Sequence, residues 1–168
     1  EKRAIATDFV AVLARILTRH GNRVGAICYG AAVDTVVPPR NGRRQVLHLL
    51  HRMSVRPELK QAPATDLSEM LRTAYHAVPR RSLLFVGSDF ISTPGWERPL
   101  SLLNQRHEVL AIRVWDPREI DLPDIGPVVM EDAETGEQLY VDTHDRKFRD
   151  RFAEAARRRE AALQETFK

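Results

Sequence analysis

A single cysteine, only 7% aromatic residues and no apolar run near the ~20 residues that cross a bilayer set the first limits on this 168-residue chain. Cys28 has no partner for an intrachain disulfide, which fits a reducing compartment and points to the cytoplasm. Lying within the apolar run Val24 to Tyr29, it reads as a buried structural thiol and not as a nucleophile. The N-terminus lacks the charged, apolar, small-residue order of a signal peptide. It also lacks an initiator Met and opens at Glu1-Lys2-Arg3 with a helical pattern already running, as expected of a piece of a longer, N-terminally truncated domain.

Charge of one sign is scarce too. Lys and Arg total 26 against 23 Asp and Glu, and the excess of +3 is spread along the chain, so no nucleic-acid partner is expected. The lysines are Lys2, Lys60, Lys147 and Lys168 alone, making 22 of the basic residues arginine, a bias that reads as genomic base composition more than phosphate recognition. Absent as well are G-x-x-x-x-G-K-[ST], G-x-G-x-x-G and G-x-S-x-G, which removes the motifs for nucleotide hydrolysis, dinucleotide redox chemistry and the hydrolase elbow. The six histidines (His20, His48, His51, His76, His107, His144) lack zinc-site spacing and read as surface or cap residues.

What remains is an ordinary globular composition, 43% apolar and 29% charged, of a length that suits one domain spanning residues 1–168. Ile5, Phe9, Leu13, Ile16 and Leu17 recur at helical spacing from Lys2 to His20, with Gly21-Asn22 as the stop. Arg23 to Tyr29 and Val33 to Val37 flank Gly30-Ala31-Ala32 as a hairpin that ends at Pro38-Pro39, its second strand expected antiparallel at a sheet edge. A second helix runs from Gly42 to Met53 with Val46, Leu47, Leu50 and Met53 as its face, and Ser54 to Ala64 reads as loop. Thr65-Asp66 opens a third helix, with Glu69 placed as in a capping box and Leu67, Met70, Leu71, Ala74 and Tyr75 facing inward.

The run Ser82 to Gly87 shows no polar alternation, and a strand apolar on both sides belongs inside a parallel sheet covered by helices on both faces. Pro99 to Gln105 is a short helix and Val109 to Trp115 another strand, closed by Asp116-Pro117. Alternating strand and helix predict an α/β layered fold. In the tail, Pro127 to Met130 and Gln138 to Val141 form a hairpin across the Gly136-containing turn. Thr143 is expected to cap a last helix carrying Phe148, Phe152, Ala155, Ala156 and Leu163 on one side. Arg157-Arg158-Arg159 on that helix reads as a solvated face.

Ligands of open α/β sheets collect beyond the strand carboxyl ends. Asp89 ends the most apolar strand and Thr65-Asp66 opens the preceding helix, so a hydroxyl, a carboxylate and helix N-terminal amides are expected at that edge; these are hard oxygen and dipole groups suited to Mg²⁺ or to a carboxylate completing its shell. On spacing alone Thr65 serves equally as a cap and Asp89 as a turn former.

Ala64-Thr65-Asp66-Leu67 and Val86-Gly87-Ser88-Asp89-Phe90 resemble the second and third parts of the metal-ion-dependent adhesion site of von Willebrand factor A domains. Asn22-Arg23-Val24-Gly25 and Pro38-Pro39-Arg40-Asn41-Gly42-Arg43-Arg44 resemble an uncharacterised bacterial family of such domains, often encoded beside MoxR-type AAA+ ATPases. Asp116-Pro117-Arg118-Glu119, Leu122-Pro123, Glu134-Thr135-Gly136-Glu137 and Val141-Asp142-Thr143 extend the resemblance over nearly the whole chain.

The resemblance implies a three-layer α/β sandwich of von Willebrand factor A or Rossmann-like type, with a mostly parallel sheet and a C-terminal hairpin and helix. It implies metal ligands at Thr65 and Asp89, Mg²⁺ in the intact protein, and a non-catalytic interaction module acting with a MoxR-type AAA+ ATPase to mature or regulate protein complexes. The family's first metal motif, Asp-x-Ser-x-Ser, does not occur in the chain. With it goes the central strand expected between Val24–Tyr29 and Leu83–Gly87. That slot would be filled by an upstream segment, by a neighbouring chain or by a shifted pairing of the flanking strands, and Mg²⁺ binding by these residues alone is expected to be weak or absent. The competing readings are a metal-dependent phosphoryl-transfer or receiver-like domain, which wants a strand-ending Lys that the chain lacks, and an RNA-binding A-type domain.

Overall fold

The computed structural model describes residues 2–29, 33–55, 66–131 and 138–167. In chain order the elements are α1 (Lys2–Arg19), β1 (Val24–Tyr29), β2 (Val33–Arg40), α2 (Arg43–Ser54), α3 (Leu67–Ala77), β3 (Leu83–Ser88), α4 (Glu97–Arg106), β4 (Glu108–Arg113), a 3₁₀ turn Pro117–Glu119, β5 (Pro127–Glu131), β6 (Gln138–Asp142) and α5 (Arg146–Thr166). The chain is thus a mixed α/β protein. The hairpin turns at Gly30-Ala31-Ala32 and Glu134 to Glu137 and the loop from 56 to 64 lie outside the described residues.

Three two-stranded sheets carry the strands. β1 pairs antiparallel with β2, β3 parallel with β4, and β5 antiparallel with β6. Val33 to Val37 is therefore antiparallel at an edge, as its hairpin pattern requires. β2 also runs on through Pro38 and Pro39 to Arg40 instead of stopping before them. Edge strands and bulges tolerate proline, and Pro38 and Pro39 together stand opposite Gly25 where the β1–β2 register shifts. The buried Gln45 secures this end, its amide donating to Val24 O at 2.8 Å and Pro38 O at 3.0 Å.

The expectation of a mostly parallel sheet buried on both faces is met only in part. Among the described residues the parallel ladder is β3 with β4, in register from Leu83 opposite Glu108 to Ser88 opposite Arg113. Of the apolar run in β3 only Val86 is buried, and Leu83 is exposed. Neither β1 nor β3 has a strand on its other side among the described residues, so the shifted pairing that would join them does not occur there.

Two clusters form the core. Leu67 and Leu71 of α3, Val86 of β3, Phe90, Trp96, and Leu100 and Leu103 of α4 make one; Ala14 of α1, Val37 of β2, and Val46 and Leu49 of α2 make the other. The inner face of α3 is as its periodicity predicts. On α2 Leu47 is exposed and Leu49 takes its place inside. On α1 the expected face is only half used: Leu13 and Leu17 are partly covered, while Ile5, Phe9 and Ile16 stay exposed.

α4 begins two residues before Pro99, which sits in its first turn, where its missing N–H has no intrahelical acceptor to lose. α5 is capped by Asp145 and not by Thr143: the Asp145 carboxylate accepts from Lys147 N at 2.8 Å and Phe148 N at 3.4 Å. Thr143 is buried, and its hydroxyl donates to Gly126 O at 2.8 Å and accepts from Ile125 N at 3.0 Å. The hydroxyl thus ties the hairpin to the segment before it. The face of α5 also differs, since Ala156 is buried, Phe148, Phe152 and Leu163 are partly covered and Ala155 is exposed.

Candidate functional site

The carboxyl ends of β3 and β4 and the N-terminus of α3 converge on one edge. Beyond β3 the chain turns sharply. Ser88 Oγ accepts from Phe90 N at 3.0 Å and Asp89 Oδ1 from Ile91 N at 3.1 Å, and between them Phe90 takes a left-handed φ of 59°. Such a conformation is uncommon for a residue with a bulky side chain. Phe90 holds it because its ring is buried in the core against Trp96, with ring centroids 5.4 Å apart. Asp89 is half-buried at the turn.

Two residues further on, Ser92 Oγ accepts the first amide of α3, Leu67 N, at 3.0 Å. Asp66 caps the same helix, its Oδ1 accepting from Ser68 N at 2.9 Å and Glu69 N at 3.4 Å. The segment carrying Asp89 and the helix start carrying Asp66 therefore touch. Thr65 itself lies outside the described residues. Glu69 joins a third element to the edge, since its Oε2 accepts from the Tyr29 hydroxyl at the end of β1 at 3.3 Å. Burial, and next the charge of Glu69, raise the pKa of that phenol.

On the other flank Arg113, the last residue of β4, is ion-paired through Nη1 to Glu160 of α5. This bond holds the Glu160 carboxyl below the usual carboxylate range against the opposing effect of burial. The β3–α4 loop, Arg113 and the inner face of α5 enclose a crevice of about 280 Å³ whose walls include Asp89, Trp96 and Leu163.

The donors at this edge are oxygens: the carboxylates of Asp66, Glu69 and Asp89 and the hydroxyls of Tyr29, Ser88 and Ser92. Asp66 is committed to capping. No group of three His, Cys, Asp or Glu side chains set to hold a metal occurs among the described residues. Tyr29, Ser92, Arg113 and Glu160 are absent from the sequence expectation, because neither a strand-ending Tyr nor a loop Ser announces its partner. The unusual turn at Asp89 is signalled only by Gly87-Ser88-Asp89 after an apolar run.

The other histidines and arginines fall mostly as expected. His48, His51 and His144 are exposed, and His20 Nδ1 lies 2.8 Å from Ile16 O at the end of α1. His107 departs from expectation, being 3% exposed. Arg157 and Arg158 are exposed and paired with Glu154 at 3.2 and 3.1 Å. Cys28 is free of disulfides and half-buried, not fully buried.

Among the described residues no helix is long and apolar enough to cross a membrane. No solved structure matches the chain significantly. It is 36% identical, over all 168 of its residues, to "Uncharacterized protein Rv1480" of Mycobacterium tuberculosis and equally to "Uncharacterized protein Mb1516" of Mycobacterium bovis, covering 53% of each. A 134-residue stretch, 80% of the chain, is 40% identical to "Uncharacterized protein MAV169" of Mycobacterium avium and covers 79% of it. The chain thus spans about half the length of the first two relatives. The model of the family described as "Protein of unknown function DUF58" matches residues 1–162, so the chain belongs to the DUF58 family.

Proposed function

We propose that the chain is a non-catalytic protein-interaction module of von Willebrand factor A type, which works with a MoxR-type AAA+ ATPase in maturing or regulating protein complexes. Its contact site is the strand carboxyl edge, where Thr65 and Asp89 would contribute to holding Mg²⁺ and the cation would supply a contact for an acidic side chain of the partner. One observation carries the reading: the Ser92–Leu67 hydrogen bond that sets the Asp89 turn on the N-terminus of α3, the two segments in which the adhesion-site resemblance lies.

In this proposal β1–β2 and β3–β4 are flanks of one larger sheet with a further strand between them. Two helices support it by bridging the flanks. α1 touches β1 and sets Phe9 edge-on against Phe85 of β3 at 6.4 Å, while α3 contacts β1 and β2 and packs into the cluster around Val86.

The donor chemistry fits a hard cation and the donor number falls short of one. Asp89 and Thr65 would hold Mg²⁺, which would supply a Lewis-acidic contact for a carboxylate; a cation that demands six oxygens needs more carboxylate or hydroxyl ligands than these two. Titration calorimetry of the 168-residue chain with MgCl₂ is expected to give no sub-millimolar binding, and longer DUF58 proteins are expected to bind and to lose binding on Asp89→Ala. Sub-millimolar binding by the 168-residue chain that survives Asp89→Ala would place the cation elsewhere and end this reading.

A further inference from the structure

The last two turns of α5 lie over a groove formed by the β3–α4 loop and Arg113, and the crevice at the strand carboxyl edge is the space left between helix and groove. Ala156, Glu160, Leu163 and Phe167 recur at i, i+4, i+7 and i+11, which places them on one helix face. Each has a counterpart in the groove or the core beside it. Ala156 is buried and helps wall the crevice, Glu160 pairs with Arg113, and Leu163 packs on the core cluster of α3, β3 and α4. The Phe167 ring stands 5.1 Å from Phe90 and 6.0 Å from Trp96.

The attachment is light for a helix of 21 residues. Ala156 is the only buried residue of α5, whereas α3 buries Leu67, Ser68 and Leu71 in 11 residues. The two halves of α5 are also fastened by different contacts. At the N-terminal half Arg149 donates to Thr143 O and pairs with Asp124 at 3.2 Å; the C-terminal half depends on the Arg113 pair, Leu163 and the aromatic contact. Segments with little buried apolar area open locally without global unfolding, so the C-terminal half can leave its seat while the first turns stay anchored.

We infer that this groove is an acceptor for an amphipathic helix, filled in cis by α5 and open in trans to a partner helix of the same chemistry. The partner presents a carboxylate to Arg113, an aliphatic side chain three residues on and an aromatic ring seven residues on, the spacing of Glu160, Leu163 and Phe167. Recognition by anchors at i, i+3 and i+7 is the general mode of helix-in-groove binding. The cis helix lowers apparent affinity by the fraction of time it occupies the seat. The groove adjoins the contact site proposed above, but binding there needs no metal, so the MgCl₂ titration and the test below fail independently.

The test uses full-length protein and a fluorescent peptide of residues 146–167 as the trans helix. Phe167→Ala and Glu160→Gln in the protein weaken the cis occupant and leave Arg113, Phe90 and Trp96 intact. The peptide is expected to bind both variants about tenfold or more tighter than it binds the wild-type protein, equally with and without MgCl₂. A peptide carrying its own Phe167→Ala is expected to lose that binding. Amide exchange supplies a second readout, with residues 157–166 exchanging faster in the Phe167→Ala protein and residues 147–153 unchanged. Cooperative melting of each variant guards against simple misfolding. Peptide affinity unaltered by either protein variant, or unaltered by the peptide's own substitution, would overturn the inference, as would exchange that accelerates along the whole of α5.

Discussion

Gly25 shows how much one absent side chain can fix. A Cβ at this position of β1 would lie 2.6 Å from Val37 O and 2.9 Å from Pro39 N, atoms of the paired strand that no rotamer change can move aside. The β1–β2 register shifts between Val24 and Ala26, so the backbones close up where the glycine stands. Gly25→Ala is expected to cost about 2 to 3 kcal/mol in urea denaturation, the level of overpacked or strained sites, because the clash is with backbone.

His107 is the converse case, a polar group that the fold buries and, among the described residues, leaves without a hydrogen bond at either ring nitrogen. Burial first, and the neighbouring Arg106 guanidinium second, lower its pKa below the ordinary 6.5. Above that value both folded and unfolded forms are neutral. As pH falls through it the unfolded chain takes up a proton that the folded chain resists, so stability declines on acidification toward the lowered folded value. His107→Leu removes two unsatisfied groups and is expected to raise stability at pH 7 by about 1 kcal/mol. It should also flatten the decline below about pH 6.5. Urea midpoints measured at pH 7 and at successively lower pH check both.

At the scale of the element, each helix was foreseeable in kind because its signals are local. The apolar residues of α3 recur every three or four positions after an Asp cap, and α1 ends at Gly21, which takes the positive φ of 81° that a helix stop favours. What the period cannot say is how much of a stripe finds a neighbour. Ile5, Phe9, Val12 and Ile16 form a continuous row along α1 and all are exposed, Val12 at 60%. In the 168-residue chain Val12→Lys is therefore expected to change stability by less than about 0.5 kcal/mol, the range of ordinary surface substitutions. A loss above about 2 kcal/mol, the size of a buried apolar side chain, would mean that the row is covered, and repeating the urea melt at two protein concentrations would show whether a second copy covers it.

The whole molecule joins elements that are weak alone. A two-stranded sheet is marginal in water without a helix or further strands against its apolar face. α1 and α2 cover β1–β2, and α3 and α4 cover β3–β4, so each sheet shares a hydrophobic cluster with two helices. β5–β6 instead relies on Thr143, whose buried hydroxyl fastens it to Gly126. Its Val129, Leu139 and Tyr140 face solvent.

The sequence by itself determined what depends on near neighbours along the chain: the helices through their period, the α3 cap through Asp66, and the hairpins through turn residues between apolar runs. Only the tertiary structure decided what depends on residues far apart in sequence. It buried Thr143 and so gave the α5 cap to Asp145, carried β2 through two prolines where the β1–β2 register shifts opposite Gly25, and left Leu83 exposed in a run apolar enough for burial. It also set Ser92 on Leu67, Arg113 on Glu160, and Phe167 on Phe90 and Trp96. A side chain's partner across the fold is fixed by packing, and packing has no period to read along the chain.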